Sequence, residues 1–114
     1  MTAIIDYGVG NLFSLKSSFA SIGEDAIVTA DPEKLRAADR LILPGVGAFG
    51  DAAEKLAASG LDKVLKEEAK KGKPVMGICL GMQLLLERGF EYGEHEGLGL
   101  IKGEICAISE VIPK

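Results

Sequence analysis

PVMGICLGMQ, residues 74–83, carries a cysteine at position 79 with a glycine two residues before it and another two residues after it. The stretch changes character at that cysteine. Gly72 and Pro74 introduce the short apolar run PVMGI, which reads as a strand, whereas LGMQLLLER has the composition of a buried helix. A strand that passes into a helix through G-x-C-x-G must turn sharply. Gly77 and Gly81 permit that turn and place Cys79 at its apex with the side chain exposed, the geometry of a nucleophile elbow. A cysteine there sits at the N-terminus of the next helix, whose dipole and free N–H groups favour the thiolate. A lone cysteine in an apolar strand is ordinarily a small core residue. The paired glycines favour the nucleophile at Cys79, while Cys106, which lacks them, is read as a buried structural cysteine.

Working outward, the same strand-then-helix pattern recurs. AIIDY (Ala3 to Tyr7) reads as a strand, and after Gly8 and Gly10 a helix opens at Asn11, with Leu12, Leu15, Phe19 and Ile22 at helical spacing and Gly23 placed to end it. DAIVTA (Asp25 to Ala30) reads as a second strand, followed by an Asp31 N-cap and Pro32 as the first residue of a short helix. RLIL (Arg40 to Leu43) reads as a third strand, running into the loop PGVGAFGD. Asp51 to Lys71 forms one helix interrupted at Gly60 or two in succession, with Leu61, Val64, Leu65 and Ala69 on one apolar face. Residues 90–99 read as an exposed loop, and KGEICAISEVI as one or two antiparallel strands. Four strand-helix repeats predict an α/β doubly wound fold, a mostly parallel sheet with helices on both faces.

The 114 residues suit a single domain, and 47% hydrophobic with 26% charged residues is an ordinary globular composition. No apolar stretch approaches the ~20 residues of a membrane span, and no leader-like basic and apolar segment opens the chain, so a cytoplasmic location and no membrane partner are expected. Thirteen basic against seventeen acidic residues, with lysines scattered along helix faces, argue against nucleic acid as a partner. Cys79 and Cys106 lie 27 positions apart with no CxxC pair, which predicts neither a metal site nor a disulfide. The residues call for no cofactor.

The loop after the third strand contains GxGxxG at Gly45, Gly47 and Gly50. A dinucleotide site is discounted because that fingerprint normally follows the first strand and requires an acid ending the next one, whereas Glu67 and Glu68 fall inside a lysine-rich helix. The loop better suits presenting backbone N–H groups beside the neighbouring elbow, where an oxyanion would form; the alternative is a plain strand-to-helix turn. YGVGN, after the first strand, lacks the third glycine and is weaker still as a phosphate loop.

DYGVGN, LPGVGAFGDA, GICLGMQLLLE and GLGLIKGE, in this order and spacing, resemble class I glutamine amidotransferases. More narrowly, they resemble the glutaminase subunits of imidazole glycerol phosphate synthase, which have PGVG where other class I glutaminases usually have a GGP-type loop. The resemblance covers the whole chain and implies a flavodoxin-like glutamine amidotransferase domain, of which residues 1–114 would be the N-terminal part. It implies that Cys79 attacks the side-chain amide of glutamine. Leu80 N–H and an N–H from Val46 or Gly47 would then form the oxyanion hole. Gln83, with the backbone at Gly45 and Gly47, would hold the amino-acid end of the substrate. Asn11 would lie at the face that docks the cyclase subunit, to which ammonia passes, although a helix-capping role suits it equally.

The resemblance also implies a His-x-Glu pair far beyond the cysteine, as general base and orienting acid. The one histidine, His95, has Gly97 two residues on and lies 16 residues after Cys79, so it is read as an exposed loop residue. This chain alone is therefore expected to be inactive, with a non-catalytic α/β partner-binding module, or another class I glutaminase, as the alternative reading. A sheet lacking its second half is further expected to leave an unpaired edge and an apolar patch, and so to self-associate.

Overall fold

Up to Gly77 the apolar runs form strands and the amphipathic runs between them helices in the computed structural model, which describes residues 1–90 and 94–105. The order is β1 (Thr2–Ile5), α1 (Leu12–Ser21), β2 (Ala26–Thr29), α2 (Pro32–Ala37), β3 (Arg40–Leu43), α3 (Phe49–Ser59), α4 (Leu61–Lys70), β4 (Val75–Gly77) and α5 (Leu80–Leu84), followed by β5 (Arg88–Gly89), β6 (His95–Glu96) and β7 (Glu104–Ile105). The helix starts follow from local chemistry. Asn11 Oδ1 accepts from Ser14 N–H at 3.2 Å and Asp31 Oδ1 from Glu33 N–H at 3.0 Å, each satisfying an amide that has no partner within its helix. Gly60, at φ 77°, separates α3 from α4, so the stretch after Asp51 belongs to two helices.

β1 to β4 form a parallel sheet in the order β2-β1-β3-β4. The chain moves from β1 to one side and returns to the other, so the crevice between the carboxyl ends of β1 and β3 is a topological switch point, where open α/β sheets bind ligands. Alternation along the strands divides the core. Ala3, Ile5, Leu41 and Leu43 point to one face and pack with Leu35, Phe49, Leu56, Leu61, Leu65 and Leu84, drawn from α2 to α5. Ile4, Ala26 and Ile42 point to the other, where Leu12, Leu15 and Phe19 of α1 cover them. Helices thus lie on both faces, but unequally. No residue of α1 is fully buried, and Ile22, expected on its apolar stripe, is 76% exposed.

The row Val28–Ile4–Ile42–Met76 crosses the sheet on the α1 face in register. Its last member, Met76, is 55% exposed. Among the described residues β4 pairs only with β3, leaving the other edge open; this is the unpaired edge that the sequence predicts, and Met76 is the large apolar side chain exposed on it.

The end of the described chain differs from expectation. β6 lies within residues 90–99 and pairs antiparallel with β5, whereas β7 pairs with β5 in parallel. Residues 106–114, with Cys106 and most of the expected terminal strands, lie outside the described residues. The reason for this course is hydrogen bonding at the end of α5. Leu98 N–H donates to Leu84 O (2.8 Å), Leu100 and Ile101 N–H to Leu85 O (2.9 Å each), and Gly99 N–H to Leu86 O (2.9 Å). The GLGL segment thereby satisfies carbonyls that a helix end leaves open and stops α5 well short of LGMQLLLER. A β-carbon at Gly97 would lie 2.3 Å from Leu86 O, so this glycine serves close approach.

Candidate active site

Three connections leave the carboxyl ends of β1, β3 and β4 and meet at the switch point. The β4–α5 turn is the most constrained. Cys79 adopts φ 56° and ψ −127°, and it is the one non-glycine residue with positive φ among the described residues. Such a conformation costs on the order of 1–3 kcal/mol and persists only where its surroundings impose it. Here Ile78 N–H donates to Leu43 O, Gly81 N–H to Ile78 O and Met82 N–H to Cys79 O, each at 3.0 Å. The flanking glycines act through space rather than through dihedral freedom, since neither has positive φ. A β-carbon at Gly81 would lie 1.9 Å from Leu43 O, and one at Gly77 would lie 2.5 Å from Met82 Cα. The strained dihedral belongs to the cysteine itself, whose side chain is exposed as the sequence predicts.

The free N–H groups expected at the start of α5 are absent. Gly81 and Met82 N–H are engaged within the turn, and Leu80 N–H donates to Gly45 O at 3.2 Å. The candidate oxyanion donor at Leu80 is therefore occupied by the loop that faces it. In that loop Pro44 and Gly45 are buried, whereas Gly47 (φ 89°) and Val46 are exposed, Val46 by 57%. Val46 and Gly47 N–H donate to no group among the described residues. Gly45 packs flat on the elbow, a β-carbon there falling 2.7 Å from Gly81 N.

Gly45, Val46, Gly47, Cys79, Leu80, Met82 and Gln83 line one open depression. Cys79, the PGVG loop and Gln83 are thus brought together, with half-buried Gln83 one helical turn beyond the cysteine. Asn11 caps α1 and also lines a narrower apolar groove with Ser14, Pro44, Val46, Ile78 and Cys79. His95 does not join the depression. Its half-buried ring lies over the start of α3, where a β-carbon on Gly50 would meet it at 2.6 Å. The third glycine of the GxGxxG string accordingly makes room for a side chain.

Sequence reading missed Tyr7. Its hydroxyl donates to Pro44 O at 2.5 Å in the interior, and burial pushes its pKa up to about 12. Gly10 abuts the same proline, with a β-carbon there falling 2.9 Å from Pro44 Cβ. The turn YGVGN thereby supports the PGVG loop from behind, a contact between residues 37 positions apart that no local pattern reveals.

Residues 3–109 match the CobB/CobQ-like glutamine amidotransferase domain. The imidazole glycerol phosphate synthase subunit HisH of Sulfurimonas denitrificans is 56% identical over 107 residues, 94% of this chain and 52% of that protein. The HisH subunit of Oceanobacillus iheyensis is 53% identical over 96% of this chain and 54% of that protein, and that of Aquifex aeolicus 49% identical over 94% and 52%. A solved structure of a glutamine amidotransferase shares the fold, with a TM-score of 0.77 at 20% identity over 91% of this chain and 55% of that one. The chain spans about half the length of the curated relatives it matches. The exposed cysteine on its strained turn, the facing glycine loop and a domain match running almost end to end agree: this chain belongs to the CobB/CobQ-like glutamine amidotransferase family.

Proposed function

We propose that the protein to which these residues belong hydrolyses glutamine to glutamate and ammonia, and delivers the ammonia to the cyclase subunit of imidazole glycerol phosphate synthase in histidine biosynthesis. The observation that carries this reading is the exposed Cys79, held at a left-handed φ in a depression shared with Gly45, Gly47 and Gln83. The Cys79 thiolate attacks the amide carbon, and the carbonyl electron pair moves onto oxygen. Collapse of that oxyanion expels the nitrogen, protonated, as ammonia and leaves a thioester; water then releases glutamate and restores the thiol. Val46 and Gly47 N–H offer donors to the oxyanion, and Leu80 N–H adds one once Gly45 O lets it go. Each such donor contributes about a hundred- to a thousandfold in rate. Gln83 and the Gly45–Gly47 backbone hold the amino-acid end of the substrate, and exposed Asn11, on the groove that reaches Cys79, faces the cyclase.

The reaction also needs a base for the thiol and an acid for the leaving nitrogen. His95 lies over Gly50 and not in the depression of Cys79, which supports the reading that residues 1–114 by themselves supply the nucleophile and donors without the base. No helix among the described residues is long and apolar enough to cross a membrane; the proposed biosynthetic role is that of a cytoplasmic enzyme. The test is glutamate release by the full-length protein with its cyclase subunit, beside the 114-residue chain under the same conditions. Cys79→Ala in the full-length protein is expected to lower turnover by at least roughly a thousandfold, as loss of a nucleophile does, and the short chain is expected to show none. Undiminished turnover in the variant would remove Cys79 from the mechanism, and turnover by the short chain would remove the need for an outside base.

A further inference from the structure

We infer that Tyr7 is a positioning residue, whose hydroxyl fixes the Pro44–Gly45 peptide and so sets the chain course from which Gly45 O, in the next peptide, occupies Leu80 N–H. The inference rests on the reading of Leu80 N–H as an oxyanion donor and extends it to what controls that donor. The segment Pro44 to Gly45 is gripped at three points. Tyr7 Oη donates to Pro44 O at 2.5 Å, Gly10 stands against the Pro44 ring, and Gly45 O accepts from Leu80 N–H at 3.2 Å while Gly45 Cα lies on Gly81. Pro44 and Tyr7 are buried, so the hydroxyl has no water to compete with, and a carbonyl deprived of it would be left without a donor. Burial also keeps the phenol protonated through neutral pH, so it remains a donor there.

Geometry separates this role from ordinary core packing. A shift of the whole Pro44–Gly45 segment that draws Gly45 O away from Leu80 also carries Pro44 O off the Tyr7 hydroxyl, which resists it, whereas a flip of the Gly45–Val46 peptide alone leaves Pro44 O in place. Ile78 N–H provides an internal control, since it donates to Leu43 O, one residue before the held peptide, at 3.0 Å. Leu41 N–H, donating to Pro74 O at 3.0 Å, reports on the sheet itself.

The experiment is amide hydrogen exchange by NMR on the chain, wild type against Tyr7→Phe. Exchange at Leu80 is expected to accelerate about tenfold or more relative to Ile78 and Leu41, because one local hydrogen bond is lost while the sheet stays closed. Equal acceleration at all three amides, or none at Leu80, would overturn the inference and leave Tyr7 a packing residue. If Tyr7→Phe does not fold, 3-fluorotyrosine at position 7 keeps the donor and strengthens it. Leu80 exchange is then expected to slow about two- to threefold with the two reference amides unchanged, since a more acidic hydroxyl donates more strongly, and no slowing would overturn the inference. Exchange is read without substrate, so its failure leaves the role of Cys79 standing, and failure of the Cys79→Ala assay leaves the Tyr7 contact standing.

Discussion

The two faces of the sheet are built to different standards. On one, side chains from four helices close over Ala3, Ile5, Leu41 and Leu43; on the other, a single helix with no fully buried residue covers Ile4 and Ile42 and stops short of Met76. Strands β1 and β3 contribute alternate residues to both faces, so the difference lies in what is packed against them. A sheet whose middle strands are apolar on both sides needs both sides covered. Among the described residues one side is closed over β1 and β3, and the other is covered only over the strands nearest α1.

The strongest challenge to this contrast compares two phenylalanines. Phe49→Ala on the closed face is expected to cost about 3–5 kcal/mol, because the fully buried ring packs against Gly89 and its loss leaves a cavity. Phe13→Ala on α1, where the ring is 82% exposed, is expected to stay within about 0.5 kcal/mol. Urea denaturation measures both, and equal costs would abolish the asymmetry.

A second, smaller effect belongs to Tyr7, also on the closed face. Its folded pKa is raised, so its contribution is complete below pH 10 and is lost as pH rises toward 12, by about 1.4 kcal/mol per pH unit at most. Denaturation series at alkaline pH should therefore fall more steeply for wild type than for Tyr7→Phe; parallel slopes would show that the closed face does not hold the phenol. The smallest expected effect lies on the open face. Met76→Lys should change stability by no more than about 0.5 kcal/mol, while a charge on the bare edge should lower the self-association expected of that edge, as read by sedimentation velocity. A large loss of stability would mean that Met76 is covered after all.

Much of this was legible in the sequence because local chemistry decides it. Asn11 and Asp31 announce helix starts, Arg40 to Leu43 forms a strand with the bounds its composition predicts, and G-x-C-x-G announces a turn that exposes Cys79. What escaped depends on contacts between distant segments. The amides of residues 97–101 end α5, His95 settles on Gly50, and Gly45 O takes the Leu80 amide. The glycines were readable as necessary but not for the right reason: composition marks a turn, whereas only the fold shows that Gly77 and Gly81 are thin spots where two backbones touch. Tyr7 carried no signal, because a tyrosine ending an apolar strand looks like any other core aromatic.

Lys73 has a consequence for the cysteine six positions on. Its ammonium donates to Leu35 O (3.1 Å), Arg36 O (2.7 Å) and the Glu68 carboxylate (2.7 Å), tying the end of α2 and the end of α4 to the residue that leads into β4. That hydrogen bond, and then the one from Lys71, holds the Glu68 carboxyl below its ordinary range, so the anchor stays charged in moderately acidic solution. β4 is only three residues long, and a strand so short has little pairing of its own with which to choose a register. A slip of one residue would turn Met76 inward and carry the elbow off the glycine loop. The sulfur is therefore aimed from behind: a lysine at the blunt end of the sheet sets the phase of the strand, and the chemistry at the other end inherits it.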